Sequence, residues 1–293
     1  MNKYSYVKCI HQGDTNHICE NTKKTGLNHD KMDKFYTKEY VVDLCLGYVK
    51  QYIKLNKNDL IVEPSAGNGS FILGIKSLSQ HFIFYDLTPE NPEIIEQDYL
   101  DLNFKILKSK YNNIHTIGNP PFGRQSSLAI RFIKKSCEFC SSISFILPKS
   151  FKKDSIKRKI PLSFHVIFEI DLPDNSFLVN GKEHNVPCVF QIWEKQQYDR
   201  ILCDKLKPLN FIFVKKTNDH DIAFRRIGVN AGSIYIDSDI KSVQSHYFIK
   251  FTNNKNIYEN IKQLSQIKYD FNNTVGPKSI SKQELIFKFN PLL

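Results

Sequence analysis

The sequence has no apolar run approaching the ~18 residues that span a bilayer, and Met1 to Ile10 lacks the unbroken apolar core of a signal peptide. Both absences predict a soluble, intracellular protein with no membrane partner. Cysteine is sparse and irregular. There are seven in 293 residues, an odd number without regular spacing, which predicts reduced thiols in a reducing compartment rather than a disulfide framework. There is no internal repeat and no low-complexity linker, which argues against a solenoid or a string of modules. Acidic residues are under-supplied, 30 against 41 Lys plus Arg, so the net charge is +11 and the pI about 9.1. With 13% aromatic residues, that balance suits a polyanionic partner, most commonly nucleic acid; solubility charge alone is the plainer account. The 41% hydrophobic content is enough for one large domain and a smaller appendage.

Residues 1–30 are polar and irregular and read as a flexible tail. Within them Cys9, His11, His17 and Cys19 are four residues of zinc-ligand type, but their spacing matches no known finger, and the expectation is no metal. Val41, Val42, Cys45, Leu46, Val49, Tyr52 and Ile53 predict a helix over 38–55 with Thr37 as its N-cap. A strand, Asp59 to Val62, then runs into Glu63, Pro64, Ser65, Ala66, Gly67, Asn68 and Gly69, followed by a helical pattern. In such a strand, glycine turn and helix the glycines let the backbone approach a ligand, and the helix start offers free N–H groups. The next strand, His81 to Tyr85, ends on Asp86, where nucleoside-binding sheets place an acid for ribose hydroxyls; a solvated turn residue is the alternative. A short strand, Ile94 to Glu96, leads to Asp98.

The strand Asn113 to Ile117 delivers Gly118, Asn119, Pro120, Pro121, Phe122 and Gly123. An amine conjugated to an aromatic ring is a poor nucleophile because its lone pair is delocalised. Two acceptors, the Asn119 side-chain oxygen and the Pro120 carbonyl, could hold both of its N–H groups and favour a pyramidal nitrogen. The double proline stiffens the loop, and Phe122 offers a ring face for stacking. A strand exit that merely contains prolines is the alternative. Downstream, Ser126 to Phe139 reads as a helix, with Cys137 and Cys140 as structural thiols on its packed face. The strand Ser142 to Leu147 ends before Lys149, Lys152, Lys153, Lys157, Arg158 and Lys159, a candidate phosphate contact or simply a charged helix face. A closing strand pair, Phe164 to Leu172 and Val186 to Glu194, flanks a loop that carries Phe177, readable as an exposed stacking ring or as a hydrophobic plug. After Lys195 short strands and two helices, the last with a Ser281–Glu284 capping box, predict an appended lobe.

Together these residues resemble the S-adenosylmethionine-dependent amino-methyltransferases acting on adenine N6, in the motif order that puts the cofactor-carboxylate motif first and target recognition last. The resemblance covers about Lys31 to Lys195. It implies a Rossmann-like α/β methyltransferase fold: a mostly parallel twisted sheet with helices on both faces and an antiparallel closing strand, plus a small C-terminal α+β lobe. The implied domains are a tail at 1–30, the methyltransferase domain at 31–200 and an appended lobe at 201–293, a candidate for target recognition. The resemblance implies S-adenosyl-L-methionine as cofactor, with Tyr36 and Thr37 against its methionine carboxylate, Glu63 to Gly69 as its loop, Asp86 on its ribose and Asp98 on its adenine. Asn119, Pro120, Pro121 and Phe122 take the place of the catalytic tetrad, Phe177 that of the residue stacking on the base, and nucleic acid that of substrate, with DNA favoured. Phe rather than Tyr in the fourth position, followed by Gly, also occurs in RNA adenine-N6 enzymes. An RNA methyltransferase therefore stands as the first alternative, a non-catalytic nucleic-acid-binding subunit as the second, and a protein-glutamine methyltransferase as a more distant one.

Overall fold

The computed structural model describes residues 35–202, 204–269 and 277–293; the Cys9, His11, His17 and Cys19 group and the proposed tail lie outside them. From Phe35 the chain forms β1 (Tyr36–Thr37), α1 (Glu39–Tyr52), β2 (Leu60–Glu63), α2 (Ile72–Leu78), β3 (His81–Asp86) and β4 (Ile95–Glu96). There follow α3 (Lys105–Lys110), β5 (Ile114–Gly118), α4 (Ser127–Cys137), β6 (Ser142–Pro148), α5 (Asp154–Lys157) and β7 (Phe164–Asp171). Next come β8 (Phe177–Val179), β9 (Lys182–His184) and β10 (Cys188–Lys195). The C-terminal part contains β11 (Phe211–Val214), β12 (Ile222–Arg225), β13 (Ile234–Tyr235), β14 (His246–Phe251), α6 (Ile257–Leu264) and α7 (Lys282–Phe289). Residues Phe35–Leu293 form one compact unit.

The central sheet has the order β4-β3-β2-β5-β6-β10-β7, parallel from β4 to β6, with β10 antiparallel to both neighbours. Strands β2, β5 and β6 are buried along their whole length, as parallel strands covered on both faces must be. Their side chains alternate between two cores. Leu60 and Val62 join the cluster beneath α4, while Ile61 joins the one beneath α1 and α2. This is the Rossmann-like methyltransferase fold. Strand order reverses between β2 and β5, because the chain adds strands on one side of β2 before crossing to the other. Open α/β sheets bind ligands at such a switch point, outside the carboxyl ends of the strands.

Two expected helix starts are corrected. Thr37 does not cap α1; it lies in β1, paired with Phe177, and Lys38 takes the cap position. Helix α4 begins at Ser127, because Gln125 and Ser126 adopt left-handed backbone (φ 52° and 62°). The segment between β7 and β10, expected as a loop, contains a hairpin. Strands β8 and β9 pair with each other, and β8 also pairs with β1. Its turn residues, Asn180 and Gly181, have φ 50° and 74°, the positive values that an Asn-Gly hairpin turn requires. Beyond the central sheet, β11-β14-β12-β13 form an antiparallel sheet with its own core of Phe211, Phe224, Leu285 and Phe289 among others. The Ser281–Glu284 capping box forms on α7.

At the amino ends of the central strands a buried polar link crosses the sheet. His115 Nδ1 is 2.7 Å from Ser142 Oγ, and its Nε2 is 3.4 Å from Asp59 Oδ2. Burial lowers the His115 pKa below its usual value of 6.5 despite the nearby carboxylate, so the folded state holds the ring neutral. The unfolded chain takes up this proton first. Stability is therefore expected to fall as pH drops below about 6.5 and to flatten beneath the lower folded-state pKa. Thermal unfolding of wild type and His115→Gln across pH 7.5 to 5 checks this: the variant should lose that portion of the pH dependence.

Candidate active site

The glycine turn and the Asn-Pro-Pro-Phe segment stand on adjacent strands at the switch point. Gly67 and Gly69 have φ of 55° and 87°, values that cost little only for glycine. Ala66 N–H donates to the Tyr85 carbonyl at 2.8 Å, tying the turn to β3. At the end of β3 the Asp86 carboxylate accepts from Gly67 N–H and Thr88 N–H, each at 2.8 Å. One carboxylate thus clamps two loops by charge-assisted bonds. Asn68 Oδ1 accepts from the Ser70 N–H and hydroxyl. The Tyr36 hydroxyl donates to the Glu90 carboxylate at 2.7 Å, and Glu90 N–H donates to the Gly67 carbonyl at 3.1 Å, so Tyr36, Glu90 and the turn form one brace. Burial first, and then Glu90, push the Tyr36 phenol up to about 12. Asp98 Oδ1 accepts from Leu100 N–H at 2.8 Å and starts a turn of 3₁₀ helix.

Glu63 and Gly118 end β2 and β5. A Cβ at Gly118, where φ is +152°, would lie 3.1 Å from Glu63 Cγ, so glycine permits this approach. Glu63 is only 1% exposed, and its Oε2 is buried with no hydrogen-bond partner among the described residues. Burial, with the Asp86 charge added, pushes its carboxyl well above the usual carboxylate range.

Asn119 follows Gly118. Its Nδ2 donates to the Phe35 carbonyl and to Thr37 Oγ1, both at 3.3 Å. A backbone carbonyl can only accept, so the amide nitrogen must face Phe35 and the oxygen must face the other way. That oxygen, Oδ1, is buried and has no hydrogen-bond partner among the described residues. Ser65 hydroxyl donates to the Asn119 carbonyl at 3.2 Å, joining the two motifs. Pro120 is buried and Pro121 exposed. The Phe122 ring is half-buried between the two cores, and its carbonyl accepts from Leu128 and Ala129 N–H at the start of α4. Free N–H groups of a helix end therefore anchor the last tetrad residue.

Two other groups lie differently from expectation. Phe177 is 1% exposed and packs edge-on against Phe35, with ring centroids 6.2 Å apart. It is a core plug beneath the β8–β9 hairpin, and no ring face is free for stacking. The basic cluster is largely neutralised within the protein: Lys149 and Lys152 share Asp171 at 2.9 and 2.6 Å, Lys157 pairs with Glu169, and Arg158 pairs with Asp154. Lys153 is half-buried, and burial lowers its pKa. Sequence reading missed Glu90, which sits among prolines and asparagines in a stretch that reads only as loop, and it missed the Phe35 carbonyl, since backbone leaves no residue-type signal. The hairpin did have a signal, in Asn180–Gly181.

The fold is the Rossmann-like methyltransferase architecture, and this site lies at its strand ends. No protein-family model matches the chain. The Type II methyltransferases M.HincII and M.HindII of Haemophilus influenzae are each 31% identical to it over 103 residues, which make up 33% of this chain and 18% of theirs. Over that stretch the chain is homologous to them, and it spans under a fifth of their length. Similar solved structures include a type I restriction-modification methyltransferase subunit from Streptococcus thermophilus (16% identity, TM-score 0.42, covering 56% of this chain and 45% of that one). Another is an rRNA methylase from the same species (13% identity, TM-score 0.37, covering 53% of this chain and 97% of that one).

Proposed function

We propose that the protein transfers a methyl group from S-adenosylmethionine to the N6 amine of an adenine in nucleic acid, with DNA the favoured polymer. The observation that carries this reading is the buried Asn119 Oδ1, without a partner among the described residues and held in one orientation at the switch point beside the glycine turn. A buried acceptor without a donor is costly, and a substrate N–H satisfies it. The Pro120 carbonyl supplies the second acceptor, so both amine hydrogens are held and the nitrogen lone pair is released from the ring. Phe122 packs on the base, which has to leave its stack or arrive single-stranded.

The residues present fit the cofactor. In this reading Asp86, which keeps lone pairs while clamping the turn, takes the two ribose hydroxyls, Asp98 accepts from the adenine amine, and Tyr36 and Thr37 take the methionine end. Gly67 and Gly69 keep the turn open to close approach, and the orphaned Glu63 oxygen needs a polar partner at the same strand end. Bound there, the cofactor supplies an electrophilic sulfonium methyl. No side chain has to remove a proton first, because the amine becomes acidic only once methylated. Orientation by Asn119, Pro120 and Phe122 provides most of the rate. Likeness to Type II methyltransferases over 103 residues supports methyl transfer and favours DNA.

The test is incubation with methyl-labelled cofactor and separate DNA and RNA pools, then nucleoside analysis. Label in N6-methyldeoxyadenosine is expected. Label in N6-methyladenosine alone would move the substrate to RNA, label on a cytosine would correct the target atom, and no label in either pool would overturn the reading.

A further inference from the structure

The cations of the C-terminal sheet are placed differently from those after β6. A groove of about 370 Å³ opens at the sheet end formed by the close of β11, the start of β14 and the residue after β12. It is lined by Lys215, Lys216, Arg226 and Lys282 and by no carboxylate. Among the described residues none of the four forms a salt bridge: Arg226 donates to the Gln244 carbonyl and Lys216 to the Asp239 carbonyl. Lys282 Nζ stands 4.6 Å from the Phe213 ring centroid, and the Arg226 guanidinium 5.4 Å from that of Tyr247. Unpaired cations over aromatic faces suit a ligand that is both anionic and planar.

His246 adds a second, independent observation. It is 4% exposed, lines the same groove, and places Nδ1 3.1 Å from the Ser242 carbonyl. That carbonyl can only accept, while the Ser245 hydroxyl, also 3.1 Å from Nδ1, can accept or donate, so the tautomer with the hydrogen on Nδ1 satisfies both contacts and leaves a lone pair on Nε2. Nε2 is buried and has no partner among the described residues. The groove is thus built for a ligand combining negative charge, a flat face and an N–H donor. Glu284, whose charge reaches Tyr247, has its carboxylate engaged by the Ser281 N–H. The same Glu284 acts electrostatically on Lys153, just beyond the carboxyl end of β6.

We propose that this groove binds one nucleotide of the nucleic-acid substrate outside the target base, with its phosphate on Arg226, Lys282 and Lys215 and a base N–H on His246 Nε2. The choice of nucleic acid rests on the function proposed above, and DNA and RNA supply the same chemistry. Binding of fluorescent single-stranded DNA, duplex DNA, RNA and an abasic strand by the full chain, titrated against salt, tests it. Arg226→Gln with Lys282→Gln is expected to weaken binding at least tenfold and to reduce the slope of log affinity against log salt by about 0.8, the share of one phosphate. Should that double variant not fold, Lys282→Gln combined with Lys215→Gln, both exposed, should reduce the slope by the same amount. His246→Phe is expected to leave the slope unchanged and to weaken base-bearing strands about fivefold, roughly one lost hydrogen bond, while binding the abasic strand like wild type. Wild-type slopes in all cation variants, or equal weakening of the abasic strand by His246→Phe, would overturn the groove assignment while methyl transfer persists. Absent transfer with the expected slope changes would sink the catalytic reading and keep the groove. Absent binding of any polymer would overturn both.

Discussion

Asn119→Ala is expected to lower methyl transfer by about a thousandfold or more, the scale of losing a preorganised hydrogen-bonding group aimed at the reacting atoms. Cofactor affinity should stay within about threefold, a small change on the scale of one hydrogen bond. The structure gives a reason for the separation. The Asn119 Oδ1 has no partner among the described residues, so its removal takes no hydrogen bond from them. Losing Nδ2 frees the Phe35 carbonyl and Thr37 Oγ1, a cost of about 1–2 kcal/mol, and the thermal midpoint should drop by only a few degrees. Single-turnover transfer and calorimetric titration of the cofactor, on the same preparation, provide the check. Loss of cofactor binding along with transfer would make Asn119 a structural residue of the switch point and remove it from the catalytic role.

Asp86→Ala should show the opposite split: cofactor affinity weaker by about a hundredfold, with the rate at saturating cofactor little changed. Its carboxylate makes two charge-assisted bonds to the loops, each worth about 1.5–3 kcal/mol, and without them the glycine turn is no longer held in its binding shape. Asp86→Asn keeps an acceptor for one of the two N–H groups and should fall between. Calorimetry decides, and unchanged affinity in the alanine variant would take Asp86 out of the site.

Much of the central sheet was legible because its strands are short apolar runs ending on turn-formers. Glu63, Asp86 and Gly118 each close a strand, and local composition marks such ends. The helix starts were less legible. Thr37 is a good capping residue by type, yet pairing with β8 draws it into a strand. Phe177 shows the same limit: a large ring between turn residues reads equally as exposed or buried, and the β1–β8 pairing is what covers it. The lysines after β6 were visible as charge, but their partners Glu169 and Asp171 come from β7, and sequence distance says nothing about which carboxylate a lysine meets.

By itself the sequence determined the order of the strands and which residues close them, because hydrophobic period, glycine and proline act over a few neighbouring residues. Only the tertiary structure decided which of those residues are left wanting a partner. Asn119 is oriented by the carbonyl of a residue 84 positions earlier, Glu63 has its carboxyl pushed up because two strand ends bury it, and His246 is stranded by a loop that satisfies only one of its nitrogens. Hydrogen-bond satisfaction depends on everything within about 3 Å of an atom, and the chain brings those atoms together only by folding.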